Sequence, residues 1–235
     1  MNSGLKVGIF FIVLSYSVCA LAESSECYGT TSNGRIEHAV PLPEKGVNFI
    51  SYTADLELSG RTFVHDAVKE IVVQSYKTLA ESHPGKVFKY AETGLKNGGQ
   101  FWPHKTHQNG LSVDFMVPVL DAQGQSVHLP TDVTNKFGYD IEFDDKGRFG
   151  ELTIDFEAMA AHLVELDEIA KEKGFGLWRV IFDPELQPLL LKTKQGDYIR
   201  ENIKLSSKRS WVRHDEHYHV DFKVPCNTIS GLDGL

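Results

Sequence analysis

The chain of 235 residues carries a net charge of −8 with 41% hydrophobic side chains, which fits one globular domain with room for a long excursion. So acidic a protein gains little from long-range attraction to nucleic acid or to an anionic membrane, and no basic run reverses the sign locally. Nucleic acid is thereby excluded as a partner, and stable membrane insertion is not expected.

At the N-terminus, Lys6 precedes an apolar run from Val7 to Val18 and then Ala20-Leu-Ala22, the pattern of a secretory signal ending in a small-residue cleavage site. The run is about a dozen residues, short of the ~20 that span a bilayer. Residues 1–22 therefore read as a signal peptide, with the mature chain starting at Glu23 and the protein exported, periplasmic or secreted. Cys19 leaves with the signal. Cys27 and Cys226 remain, and an even pair in an exported protein predicts a disulfide, with two free thiols as the alternative.

Residues 23–60 are turn-rich, with Thr30-Thr-Ser-Asn-Gly34 and Pro41-Leu-Pro43, and are expected to form an arm packed on a main domain at 61–235. From Val64 the apolar positions Val64, Ala67, Val68, Ile71, Val72 and Leu79 share one helical stripe, stopped by His83-Pro84-Gly85. Val87 to Thr93 reads as a short strand, and the glycine-rich 94–110 stretch as a loop. Leu111 to Val119, rich in Val and Phe, reads as a strand on which Asp114 faces away from Val113 and Phe115. Residues 120–150 show no period and are expected to be an inserted loop or hairpin, either shaping a cleft or simply solvated.

Asp155 is the expected N-cap of a helix from Phe156 to about Lys173, closed by Gly174 and burying Met159, Leu163, Leu166, Ile169 and Ala170. His162 on it is surface or core filler. Leu177 to Phe182 reads as a strand, and Asp183-Pro184 as the opening of a short helix limited by Pro188. Near the C-terminus Tyr218, Val220, Phe222 and Val224 alternate with His217, His219, Asp221 and Lys223, so the histidines share one strand face. The class is α+β, a small central antiparallel sheet flanked by helices.

Five of the ten histidines fall in two short stretches, His104-Lys-Thr-His107-Gln-Asn-Gly-Leu-Ser-Val-Asp114 and His214-Asp-Glu-His217-Tyr-His219. Imidazole and carboxylate suit zinc, and a catalytic zinc wants three protein ligands with one position left to water. His107, Asp114 and His219 supply such a set. Without a metal, the same residues are a polar, solvated strand face. The helix-borne HExxH with its Glu base is absent, and Glu216 points to the wrong face if the strand already includes it. Trp102 and Trp211 flank the clusters as cleft walls or core packing. His38, His65, His83 and His128 have no assigned role.

Those two clusters, with Thr106-His-Gln-Asn-Gly-Leu-Ser-Val-Asp114 and a further histidine three residues before His107 and before His217, resemble the penicillin-insensitive murein endopeptidases. These belong to a wider group of zinc peptidases that includes D-alanyl-D-alanine peptidases and lysostaphin-type enzymes. Fainter similarity runs from about Arg61 to Pro225. The resemblance implies a hedgehog-like, D-Ala-D-Ala-peptidase-like fold with zinc in a surface cleft. It further implies that His107, Asp114 and His219 bind Zn²⁺, that His217 is catalytic, and that His104 and His214 line the site. The implied reaction is hydrolysis of peptide cross-links between peptidoglycan stems. The rivals are a D-Ala carboxypeptidase and a non-catalytic, zinc-containing cell-wall-binding protein. One departure is Ser112, where the family often has a second Asp, which bears on groups around the metal rather than on ligation itself.

Overall fold

The structure, a computed structural model, describes residues 23–52, 60–210 and 212–229. The expected signal segment and Trp211 lie outside the described residues. Among the described residues, five strands form the central sheet: β1 (Phe49–Ser51), β2 (Phe88–Tyr90), β3 (Ser112–Met116), β4 (Leu177–Ile181) and β5 (His217–Phe222). Their spatial order is β4-β5-β3-β2-β1. The pairings are antiparallel except β1 with β2, which run parallel, so the sheet is mixed rather than wholly antiparallel as expected. Residues 49–51, within the stretch read as turn-rich, are thus an edge strand of this sheet.

One sheet face carries the core. Val113 and Phe115 of β3 and Tyr218, Val220 and Phe222 of β5 are buried with Val68, Ile71, Val72, Tyr76 and Leu79 of helix α1 (Asp66–Ser82) and with Met159, Leu163, Leu166 and Ala170 of helix α2 (Phe156–Glu172). Each large side chain so buried stabilises the fold by about 1.5–3 kcal/mol. His162 belongs to this core rather than the surface: it is fully buried, lies edge-on to Phe115 at 4.8 Å, and hydrogen-bonds Tyr218 and Ser75. Burial pulls its pKa down to about 3, which keeps the ring neutral.

The helix ends follow from side chains that satisfy free backbone donors. Asp155 accepts from Ala158 N at 3.1 Å and starts α2 as expected. His65, given no role by the sequence, accepts from Ala67 N at 3.2 Å and starts α1 at Asp66 instead of Val64. The short helix after Asp183 begins later than expected, at Gln187–Leu190, because Asp183-Pro184-Glu185 is used as a turn in which Asp183 accepts from Glu185 N at 3.0 Å.

Residues 119–154 are more ordered than a loop. Val119–Leu120, Ser126–Val127, Arg148–Phe149 and Leu152–Ile154 pair as a second, four-stranded sheet. Between them Lys136, Phe137 and Gly138 hold positive φ of 51°, 59° and 110°. Left-handed backbone at two non-glycine residues is strained and persists where packing over-determines it. Here Phe137 packs on Tyr52, with ring centroids 5.5 Å apart, and a Cβ at Gly138 would meet Met116 Cε at 2.9 Å. The turn delivers Tyr139 to the polar face of the central sheet. Cys27 and Cys226 form the expected disulfide, their Cα atoms 4.8 Å apart.

Candidate active site

The register of the central strands builds the site. His219 lies opposite Asp114 and Asp221 opposite Ser112, and β4 extends both rows with Ile181 and Arg179. Side chains alternate along a strand, so these project away from the core residues. His219 Nδ1 stands 2.7 Å from Asp114 Oδ1. His107 enters from the 94–110 loop, with Nε2 3.3 Å from Asp114 Oδ2. The three side chains named from the sequence therefore meet around one carboxylate.

His107 has φ 70° and His214 φ 59°, left-handed positions that non-glycine residues hold only under constraint. The constraint on His107 is visible. Its Nδ1–H donates to Thr93 O at 2.8 Å, and Gly94 must lack a side chain because a Cβ would sit 3.0 Å from His107 O.

The electrostatics fit a cation at this point. Burial drives the His107 pKa down, so the ring is neutral, and its buried Nε2 has no hydrogen-bond partner among the described residues. With Nδ1–H donated to Thr93, that nitrogen turns a lone pair toward a carboxylate, a repulsive pairing unless positive charge lies between them. Burial would by itself raise Asp114, but protonated His107 and His219 would outweigh it and hold the carboxyl well below the usual range. Burial opposes protonation of His219, yet Asp221 and Asp114 overcome it and lift the ring to about 10, since both ring nitrogens face carboxylate oxygens. Metal ions satisfy this demand for positive charge with neutral imidazoles. His104, His107 and Asp114 by themselves offer three ligand atoms within 4.8 Å of one another, a group that could hold a metal ion.

Two histidine–carboxylate pairs flank this point. His217 Nδ1 donates to Glu216 Oε1 at 2.9 Å; burial opposes protonation of His217, but Glu216 prevails and raises its pKa. Glu216 therefore belongs to the site. β5 starts at His217, so the strand does not include Glu216 and alternation does not turn its side chain away. On the other side His104 Nε2 bonds Glu92, which also accepts from Arg61, while His104 Nδ1 lies 4.0 Å from Asp114 Oδ2. The ring of His214 lies 4.5 Å from that of His217, and burial, with His217, lowers its pKa to about 4. Trp102 is 85% exposed on the rim, which excludes a core role.

Sequence reasoning missed Glu92, Tyr139, Arg179 and the part played by Asp221. Tyr139 OH is 3.3 Å from His104 Nε2. Asp221 Oδ1 accepts from His219 Nε2 at 2.8 Å and from Ser112 Oγ at 2.6 Å, while Oδ2 takes Arg179. The departure at Ser112 thus has a counterpart: a donor is needed opposite Asp221, where a second carboxylate would repel it. Strand parity signalled Asp221, two residues after His219 on the same face. Nothing local signalled Tyr139. The cleft beside His104, Asp114, His217 and His219 has a volume of about 180 Å³.

A polar strand face that gathers histidines and carboxylates at the floor of a cleft is the architecture of a hydrolase site able to hold a metal. A family model for penicillin-insensitive murein endopeptidases matches residues 27–231, and the chain belongs to that family of peptidoglycan-cleaving peptidases. No curated protein matches it.

Proposed function

We propose that the protein is an exported zinc metallopeptidase that hydrolyses the peptide cross-links of peptidoglycan. In this assignment residues 1–22 are the export signal, and 23–60 an arm that adds its edge strand β1 to the peptidase domain at 61–235, which has its excursion at about 120–150. The disulfide supports an oxidising destination, periplasmic or secreted. Among the described residues no helix is long and apolar enough to cross a membrane.

His107 through Nε2, Asp114, and His219 through Nδ1 hold the zinc; His217 is catalytic; His104 and His214 line the cleft. When bound, the ion supplies Lewis acidity, lowering the pKa of a coordinated water to ~7 and polarising the scissile carbonyl. The protein's own groups manage orientation and protons. Thr93 O and Asp221 fix the ring orientation of the two imidazole ligands. Glu216 holds His217 by Nδ1, leaving Nε2 free to take the proton of the attacking water and pass it to the departing amine. The imidazolium formed in between is stabilised by Glu216 and adds positive charge where the carbonyl oxygen becomes negative.

The observation that carries this assignment is the buried, unpartnered His107 Nε2 aimed at a carboxylate shared with His219. The test is the release of new amino groups from purified cross-linked peptidoglycan, with and without chelator, compared with Asp114→Ala. Chelation and the substitution should each abolish release, and zinc should restore the wild type only. Amine release indifferent to both treatments would rule out the metal chemistry. Mass analysis of defined cross-linked muropeptides separates an endopeptidase from a D-Ala carboxypeptidase, which would liberate free alanine and leave cross-links intact.

A further inference from the structure

The catalytic cleft contains two cations that the hydrolysis does not use, Arg179 and Lys105. Arg179 on β4 lines the same cleft as His104, Asp114, His217 and His219. Its Nε and Nη2 donate to Asp221 Oδ2, and its guanidinium carbon lies 4.7 Å from the centre of the Trp178 ring. The register of β4 against β5 shifts between Leu177 and Arg179, a bulge of the kind that re-aims side chains beside active sites. Two contacts therefore fix this guanidinium. Among the described residues nothing bonds its Nη1, and the side chain remains 29% exposed.

The other charges around the cleft sharpen the point. Asp114 is taken by His107 and His219, Glu92 by Arg61 and His104, and Glu216 by His217. Lys105, exposed on the 94–110 loop, lines the same volume. An overall acidic protein thus offers a ligand in this cleft a held guanidinium and an ammonium that is unpaired among the described residues. A fixed, planar guanidinium is the group best matched to a carboxylate, and holding it in place beforehand removes part of the ordering cost of binding.

We propose that Arg179, assisted by Lys105, forms a carboxylate subsite that reads a free carboxylate of the peptide stem next to the scissile bond. It makes the enzyme select stems with free carboxylates over amidated ones. This rests on the peptidoglycan-peptidase assignment above and adds the feature of the substrate that is recognised. A stem side chain and a stem C-terminus both present such a carboxylate, and the experiment separates them.

Three cross-linked muropeptide dimers are compared, one with all carboxylates free, one amidated at the side-chain carboxyl, and one amidated at the C-terminus. Product formation gives kcat/KM for the wild type, Arg179→Gln and Lys105→Ala, with bound zinc measured in every sample. The wild type should prefer the free form over one of the amides by roughly ten- to a hundredfold, the range of a charge-assisted bond. In Arg179→Gln that ratio should collapse toward one, and in Lys105→Ala it should fall by a smaller factor. A wild-type ratio near one for both amides overturns the subsite, as does a ratio preserved in zinc-replete Arg179→Gln. Should Arg179→Gln lose zinc, the wild-type and Lys105→Ala ratios decide. Should the wild type cut none of the dimers, the peptidase assignment fails separately, and calorimetric binding of the same dimers to chelator-treated protein tests the carboxylate preference by itself.

Discussion

At the scale of single residues, the site works through groups one bond removed from the reaction. Asp221 is wholly buried, and it holds His219 by Nε2 so that Nδ1 faces Asp114. Partners of this kind set the tautomer of a ligand and are worth about 10–100-fold in metal affinity. Asp221→Asn should lower zinc affinity by about that factor in a chelator competition while the far-ultraviolet spectrum stays native. An unchanged affinity would remove Asp221 from the argument. Glu216 works on His217 in the same way. Against the opposing effect of burial it raises the imidazole pKa, so Glu216→Gln should lower it. A base must be unprotonated, so the acid limb of the kcat/KM profile should move to lower pH in this variant, with kcat reduced. A limb that stays in place would mean that some other group titrates there.

At the scale of elements, the excursion between β3 and α2 is fastened to the sheet by a buried lysine. Lys89 on β2 donates to Leu129 O at 2.6 Å and to Thr131 Oγ1 at 3.0 Å, at the root of the turn that presents Phe137 and Tyr139. Burial pulls its pKa from 10.5 to about 8. A depressed lysine favours folding fully only above its unfolded pKa, and the contribution is lost as pH falls through the folded value. Wild-type stability relative to Lys89→Met should therefore climb between about pH 8 and 10.5, as read from denaturant unfolding at several pH values. A constant difference across that window would show that Lys89 titrates normally. The same variant should slow hydrolysis of cross-linked substrate if the fastening positions Tyr139.

At the scale of the whole molecule, the disulfide joins residues 199 apart and ties the segment after β5 to the first hairpin (Glu26–Thr30 with Asn33–Glu37). Backbone bonds on either side, Gly29 N to Asn227 O and Asn227 N to Cys27 O, both 2.8 Å, hold the same junction. Closing a loop between residues 199 apart restricts the unfolded ensemble by about 5 kcal/mol in the chain-entropy description. Replacing both cysteines with alanine should lower the unfolding free energy by up to that amount. A loss below about 1 kcal/mol would indicate that the unfolded chain is already compact there.

Elements whose information is local or periodic were legible in the amino-acid sequence. Alternation in Tyr218–Val224 placed His217 and His219 on one face, the Asp155 cap and apolar stripe gave α2, and the two histidine clusters named the side chains that meet at Asp114. Periodicity reports which face a residue takes, and a strand needs little more. What stands around those side chains emerged with the folded chain alone. Glu92 and Tyr139 reach His104 from elements 12 and 35 residues away, and Arg179 reaches Asp221 across 42, contacts that no local pattern encodes. The parallel pairing of β1 with β2 and the small sheet within 119–154 were hidden for the same reason. Short strands of two or three residues carry too little alternation to declare themselves, and packing against the rest of the chain is what makes them strands.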